Sequence, residues 1–248
     1  MRFQNYINES INDKGILKAV MLGGMPAAGK TTIVKKIITD GSFPIKVVNT
    51  DKWTEHFGGD YVHNKTAIKK LSKTDYILTL NSLLPLYLDT TSGNLGIFKK
   101  RTDELKQMGY DVAMVFADID VDTAIERVKE RNKKIKRQVD IEFIRQKYDT
   151  FYDSGKYKSI TDTPFYKQLT SILGSRPIVV NTKDLSWNTI NKKIYNKVVK
   201  YLGSGIKNPR GQKLVDFMKK NGYKYYKDIP EEWLMKNGYP RLQDITYY

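Results

Sequence analysis

The stretch Ile16-Leu-Lys-Ala-Val-Met-Leu22-Gly-Gly24-Met-Pro-Ala-Ala-Gly29-Lys30-Thr31-Thr32 decides how this chain is read. An apolar run suited to a buried strand leads into Gly24-x-x-x-x-Gly29-Lys30-Thr31, and a helical pattern follows from Lys30. The glycines let the backbone turn its N–H groups inward around a phosphate, and the dipole of the following helix favours the same anion. The expected ligand is a nucleoside triphosphate cradled by Gly24, Ala27, Ala28, Gly29, Lys30, Thr31 and Thr32. In this motif the lysine reaches the β- and γ-phosphates and the Thr31 hydroxyl serves Mg²⁺. A Gly-rich turn that merely joins strand to helix is the alternative for the same residues.

From Gly15 to about Leu202, short β-branched apolar runs alternate with longer amphipathic stretches, the pattern of a parallel sheet covered by helices. Strands are expected at Ile16–Leu22, Ile45–Asn49, Leu86–Thr90, Val112–Ala117 and Pro177–Asn181. Helical spacing covers Lys30–Thr39, Thr74–Leu84, Leu95–Met108, Thr123–Asn132, Ile141–Tyr152 and Trp187–Tyr201. Parallel strands need crossovers of about a dozen residues or more, so these intervals fit an open, doubly wound α/β sheet. Residues 1–14 form a leader before this domain of residues 15–202, and Gly203–Gly211 reads as a flexible linker. Residues 212–248 hold a repeat with a 16-residue period, Phe217-Met-Lys-Lys-Asn-Gly-Tyr223 and Trp233-Leu-Met-Lys-Asn-Gly-Tyr239. Each copy reads as a short helix stopped by Asn-Gly, giving a basic, Tyr-rich helical appendage. Its aromatic and Lys residues suit either a stacking surface for single strands or packing onto the preceding domain.

The 248 residues carry 43 Lys+Arg against 27 Asp+Glu, a net charge of +16, which points to a polyanionic partner. Cysteine is absent, so disulfide scaffolds, thiolate zinc sites and Cys nucleophiles are excluded, and two histidines are too few for a His-rich metal site. Any metal should have oxygen ligands. No window approaches the roughly 18 apolar residues of a spanning helix, and the start has no apolar signal region. A soluble cytoplasmic protein with no membrane partner is the expectation.

Val47-Val48-Asn49-Thr50-Asp51 puts a carboxylate just past a strand's C-terminal end, the edge where open α/β sheets bind ligands. Asp51 there suits a base that takes the proton of an attacking hydroxyl, or a cap for the short helix at Lys52–His56. Leu88-Asp89-Thr90 places Asp89 where a second carboxylate would serve Mg²⁺, with Thr90 beside the acceptor; a plain turn is the alternative. Trp53, His56, Tyr61 and His63 include groups able to stack on a base or sugar, although core packing suits Trp53 and a surface role suits each histidine. Between Lys129 and Arg137 lie six basic residues against the single acidic Glu130. Such a run is often a solvated face, but phosphoryl transfer works by positioning and charge neutralisation, and a cationic lid over a triphosphate supplies both. Guanidinium groups grip phosphate oxygens in pairs.

Taken in order, these residues resemble the zeta-toxin and polynucleotide-kinase group of P-loop phosphotransferases. Leu22-Gly23-Gly24-Met-Pro-Ala-Ala-Gly-Lys-Thr-Thr32 is similar to the P-loop of zeta toxins. Gly109-Tyr110-Asp111-Val112 leading into Val115-Phe116-Ala117-Asp118, then Glu126 to Arg131-Asn132, then Val139-Asp-Ile141-Glu-Phe-Ile144-Arg145-Gln-Lys-Tyr148, resemble the lid region of T-even phage polynucleotide kinases. The resemblance covers residues 16–200 and implies a five-stranded kinase-type P-loop fold, ATP and Mg²⁺. It also implies Asp51 as the base and lid arginines, Arg131 and Arg137 here, on the transferred phosphate; Arg127 and Arg131 are further expected on the nucleotide, and Trp53, Thr90 and Lys134 beside the acceptor. Two departures stand out: Lys52-Trp53-Thr54 follows Asp51 where the group often carries an arginine, and the lid between Arg131 and Arg137 holds lysines and Ile135. Met1-Arg-Phe-Gln-Asn-Tyr-Ile7-Asn8-Glu9 is similar to leaders that direct proteins into phage heads, with a short amphipathic helix as the alternative.

The leading expectation is therefore an ATP- and Mg²⁺-dependent kinase acting on a hydroxyl, with a nucleic-acid 5′-OH favoured. A kinase of a nucleotide sugar or other small metabolite is the second reading. A nucleotide-binding, nucleic-acid-binding or virion-packaged protein without phosphotransfer is the third.

Overall fold

The computed structural model describes residues 11–39, 45–89, 92–134, 139–183 and 194–247. The leader residues 1–10, Thr90, Arg137 and the first part of the Trp187–Tyr201 helix lie outside them. Strands β1 (Lys18–Gly24), β2 (Lys46–Val48), β3 (Leu86–Asp89), β4 (Asp111–Asp118) and β5 (Ile178–Asn181) form one sheet in the order β2-β3-β1-β4-β5. Every pairing is parallel, so the doubly wound α/β expectation holds. β1 is buried along its whole length, as a central strand with both faces covered must be. Its neighbours are β3 and β4, and the chain leaves β1 into the crevice at the carboxyl edge between them.

Helices α1 (Lys30–Thr39), α2 (Thr50–His56), α3 (Tyr61–Asn81), α4 (Leu95–Gln107), α5 (Val121–Lys134), α6 (Ile141–Tyr152), α7 (Pro164–Leu173) and α8 (Asn196–Leu202) complete this layer structure. α3 begins well before the expected Thr74. Asp60 caps it by accepting from the His63 N–H at 3.1 Å, yet before Lys73 only Ile68 and Ser72 are buried, so no apolar stripe announces its first half. α7 was not anticipated from periodicity. It nevertheless carries local signals at both ends: Thr163 accepts from the Tyr166 N–H, Pro164 occupies the first turn, and Gly174 closes it at φ 74°.

Residues 203–211, expected to be a flexible linker, are instead bonded to the sheet and begin a helix. Lys18 is only 1 % exposed, and its ammonium donates to Asp111 on the adjacent strand at 2.5 Å, to Ser204 Oγ at 3.1 Å and to the Gly205 carbonyl at 2.8 Å. Asp111 in turn accepts from the Lys207 N–H (2.9 Å) and the Asn208 N–H (2.8 Å). Asn208 caps α9 (Pro209–Asn221) and donates its amide to the carbonyls of Lys106 and Tyr110. Gly211 has to be glycine, because a Cβ there would lie 2.2 Å from the Gly109 carbonyl oxygen.

The two copies of the repeat pack on each other. Each ends at a left-handed glycine, Gly222 after α9 and Gly238 after α10 (Glu231–Lys236), with φ 73° and 70°. The Phe217 and Trp233 rings stack with centroids 3.9 Å apart, and Tyr239 extends the stack from Trp233 at 5.4 Å. Tyr226 and Tyr239 are buried, with hydroxyls donating to the carbonyls of Pro240 and Arg210. These rings pack within the module itself, with Phe217 and Trp233 partly exposed.

Removing one partner of a buried ion pair leaves the other charge uncompensated, at a cost of about 3–5 kcal/mol. Asp111→Ala should lower the unfolding free energy by about that much in denaturant titrations. The same variant should make residues 203–211 sensitive to limited proteolysis.

Candidate active site

The loop between β1 and α1 is shaped by close contact. Gly24 has φ 123°, and a Cβ on it would fall 2.1 Å from the Ala117 carbonyl oxygen of β4, so no other residue fits. Ala27 and Gly29 also take positive φ, 59° and 76°, folding the loop back toward the start of α1. Ala28 is buried, while Thr31 and Thr32 are exposed on the first helical turn, where the Thr32 N–H donates to the Gly29 carbonyl at 3.0 Å. Lys30 curls over the loop and donates to the carbonyls of Gly24 (3.0 Å) and Met25 (2.8 Å). Burial lowers its pKa; the charges of Asp89 and Asp51 oppose that shift and Arg131 adds to it. Loop, helix start and ammonium together suit a phosphate group.

Asp89 ends β3 in register with Leu22 of β1. Asn49, one residue past β2, links both carboxylate positions: its amide donates to Asp89 at 3.1 Å and its side-chain oxygen accepts from the Asp51 N–H at 2.6 Å. Asn49 is thus the cap of α2, and Asp51 sits half-buried in the first turn. Among the described residues no cluster of three or more His, Asp or Glu side chains forms a metal cage. A divalent cation held by Thr31 and Asp89 would therefore share its coordination with phosphate oxygens, the usual arrangement for Mg²⁺.

The cationic segment is anchored at both ends. Arg127 on α5 donates to the Thr182 carbonyl just after β5, at 2.7 Å. Arg131 lies a turn further on and is close enough to act on Lys30. Asn132 then closes the following loop, donating to the Val139 carbonyl at 3.0 Å and accepting its N–H at 3.1 Å. Lys134 is the last residue of α5. After the loop, α6 is tied back to the sheet by Tyr152, whose hydroxyl donates to Asp118 at the end of β4, and Tyr148 stacks on that ring at 4.7 Å.

Trp53, His56 and His63 make local contacts. The Trp53 indole N–H donates to Asp75 of α3 at 3.1 Å, and Lys52 reaches the same carboxylate and covers the ring at 4.6 Å. His56 meets Trp53 edge-on and His63 bonds Asp60, both exposed, in keeping with surface roles. Asn49 was not foreseen, although an Asn just ahead of Thr-Asp at a helix start is a capping signal. Lys147 of α6 was not foreseen either; it lies so close to Gly93, shortly after β3, that a Cβ there would be 2.8 Å from its Nζ.

Burial pushes the Asp118 carboxyl above the usual carboxylate range, with the Tyr152 hydrogen bond acting the other way. A carboxyl whose pKa is raised on folding binds more protons folded than unfolded, so stability falls as pH rises from about 4 through the folded value. Asp118→Asn should remove this slope: the stability of the variant relative to wild type should increase from pH 4 to pH 7 in denaturant titrations.

No family model matches this sequence, and no curated protein matches it. Among solved structures, it is similar to a provisionally assigned kinase from Chloroflexus aurantiacus j-10-fl, at 17 % identity and TM-score 0.52, covering 77 % of this chain and 99 % of that one. It is also similar to a chain of the Pnkp1/Rnl/Hen1 RNA repair complex, at 18 % identity and TM-score 0.49; the match covers 60 % of this chain and spans about half, 48 %, of that one. A third is deoxyadenosine kinase from M. mycoides, solved with bound dATP, at 17 % identity, TM-score 0.45, and 73 % and 99 % coverage. At such identities likeness shows the fold, and the fold is that of a five-stranded, all-parallel P-loop kinase sheet.

Proposed function

We propose that this chain is an ATP- and Mg²⁺-dependent kinase that transfers the γ-phosphoryl group to a hydroxyl, with a nucleic-acid 5′-OH as the favoured acceptor. The observation that carries this reading is that Asp89 and Asp51, both bonded to Asn49, lie at the carboxyl edge of the sheet beside the glycine loop that Lys30 closes. In this reading the loop from Gly24 to Thr32 binds the phosphates through its N–H groups and Lys30. Asp51 takes the acceptor's proton as its oxygen bonds the γ-phosphorus, and the bond to the β-phosphate oxygen breaks to release ADP. Lys30 and Arg131 balance the charge that spreads over the phosphate oxygens, with Arg137 and Lys134 assigned to the same segment. Mg²⁺, held by Thr31 and Asp89, supplies further neutralisation of those oxygens when bound. Arg127, which donates to the Thr182 carbonyl, is assigned to the nucleotide in the same reading.

The polyanionic acceptor is supported by charge. Residues 1–202 hold 34 basic and 22 acidic side chains, so most of the excess lies in the domain that carries the loop. Phosphates of a strand beyond the reacting end would find that field, whereas a small acceptor would use little of it.

Asp51→Asn should reduce phosphoryl transfer to an oligonucleotide 5′-OH by about 10²- to 10⁴-fold while leaving ATP affinity near wild type, measured by radiolabel transfer and by nucleotide binding. Lys30→Ala should weaken both. Transfer to the oligonucleotide should also fall steeply between low and moderate salt. Transfer to a nucleotide sugar in place of the oligonucleotide would overturn the acceptor, and ATP binding without transfer to any hydroxyl would overturn the kinase.

A further inference from the structure

We propose that the C-terminal module is a working part of the acceptor half of the site, and that Tyr247 is a positioning residue acting through Thr50 on Asp51. This rests on the reading of Asp51 as the base. Three consecutive side chains after β2 serve three directions. Asn49 holds Asp89, Asp51 acts on Lys30, and Thr50, between them, meets the Tyr247 hydroxyl at 3.3 Å. Thr50 also accepts the hydroxyl of the buried Thr54 through its carbonyl at 3.1 Å, so the first turn of α2 is fixed from within by Thr54 and from outside by Tyr247.

The residues that hold Tyr247 are polar and buried, which is costly unless they do something that apolar packing cannot. The ring lies 5.5 Å from that of Tyr76 on α3, tilted by 48°, and the Arg101 guanidinium of α4 sits 5.0 Å from its face. Tyr76 is 1 % exposed and Arg101 5 %. The preceding Thr246 donates to Glu104 at 2.6 Å. Apolar packing alone would let a terminal segment slide along the α3–α4 surface. A directional bond to Glu104 and a cation over the ring admit one register, the one that brings the Tyr247 hydroxyl to Thr50. Upstream, the module is held by Asp111 and Asn208 at one end of α4 and by the Lys227 N–H on Asn81 of α3, so its far end is presented to α2 by a rigid body.

The test uses full-length Tyr247→Phe, Tyr247→Ala, Thr50→Val and the Tyr247→Phe/Thr50→Val double variant. Tyr247→Phe should lower kcat about 3- to 10-fold, the scale of one lost hydrogen bond, with the KM for ATP and the melting temperature near wild type. The double variant should be no slower than the worse single one, as expected of two groups acting through one contact. Unchanged kcat in Tyr247→Phe, or losses that multiply in the double variant, would overturn the proposal. A second readout is independent of catalysis: amide hydrogen exchange at residues 50–54 should be faster in Tyr247→Ala, and unchanged protection there sinks the brace. If wild type transfers phosphate to no acceptor, the kinase reading fails, and the exchange measurement still decides whether Tyr247 holds the α2 turn.

Discussion

A lysine in the central strand of a parallel sheet is tolerable only if its charge is answered nearby, and the pair formed by Lys18 and Asp111 sets much of this molecule's plan. The two residues lie in register on adjacent strands, so the ion pair is made across the β1–β4 ladder itself. Having met Lys18, Asp111 still has lone pairs to satisfy, and it satisfies them with the backbone of residues 207 and 208. The pair therefore commits the chain after α8 to return beneath the sheet and to start α9 there. An apolar pair at these positions would pack at least as well, but it would offer the returning segment nothing directional.

The opposite end of β1 obeys a different constraint. At Gly24 the strand approaches β4 too closely for any side chain, and the loop beyond it turns back over the start of α1. Two carboxylates and one guanidinium then surround a buried ammonium, each shifting its affinity for a proton. The two carboxylates balance the two cations, and Lys30 is held besides by the carbonyls of Gly24 and Met25. The seven residues of β1 thus join a structural ion pair to the candidate chemistry, and both ends lean on β4.

Much of this was legible in sequence where a local rule decides the outcome. The strand–loop–helix around Gly24 is read from spacing, and all five strands fall within two residues of expectation because buried parallel strands are short continuous apolar runs. The Asn-Gly stops were read correctly for the same kind of reason, since Asn221-Gly222 and Asn237-Gly238 need only their own backbone geometry. Failures came where tertiary contacts decide. The first half of α3 carries no apolar face to detect, and nothing in sequence says that Asp75, 22 residues later, accepts the Trp53 N–H. Gly203–Gly211 has the composition of a flexible spacer, yet Ser204, Gly205 and Asn208 are bonded to residues about 100 or more positions away. Thr163-Pro164 and Gly174 did announce α7, and there the local signal was present but unread.

Asn132 in the last turn of α5 and Val139 just ahead of α6 exchange two hydrogen bonds, so the chain is stapled across the interval between them. Closure then rests on the staple, and the path of α6 does not hang on which side chains fill the interval. Both bonds use only the Asn132 side chain and the Val139 backbone, so they do not depend on which side chains lie between. A change of charge between Asn132 and Val139 therefore leaves the two bonds at the base of the interval in place.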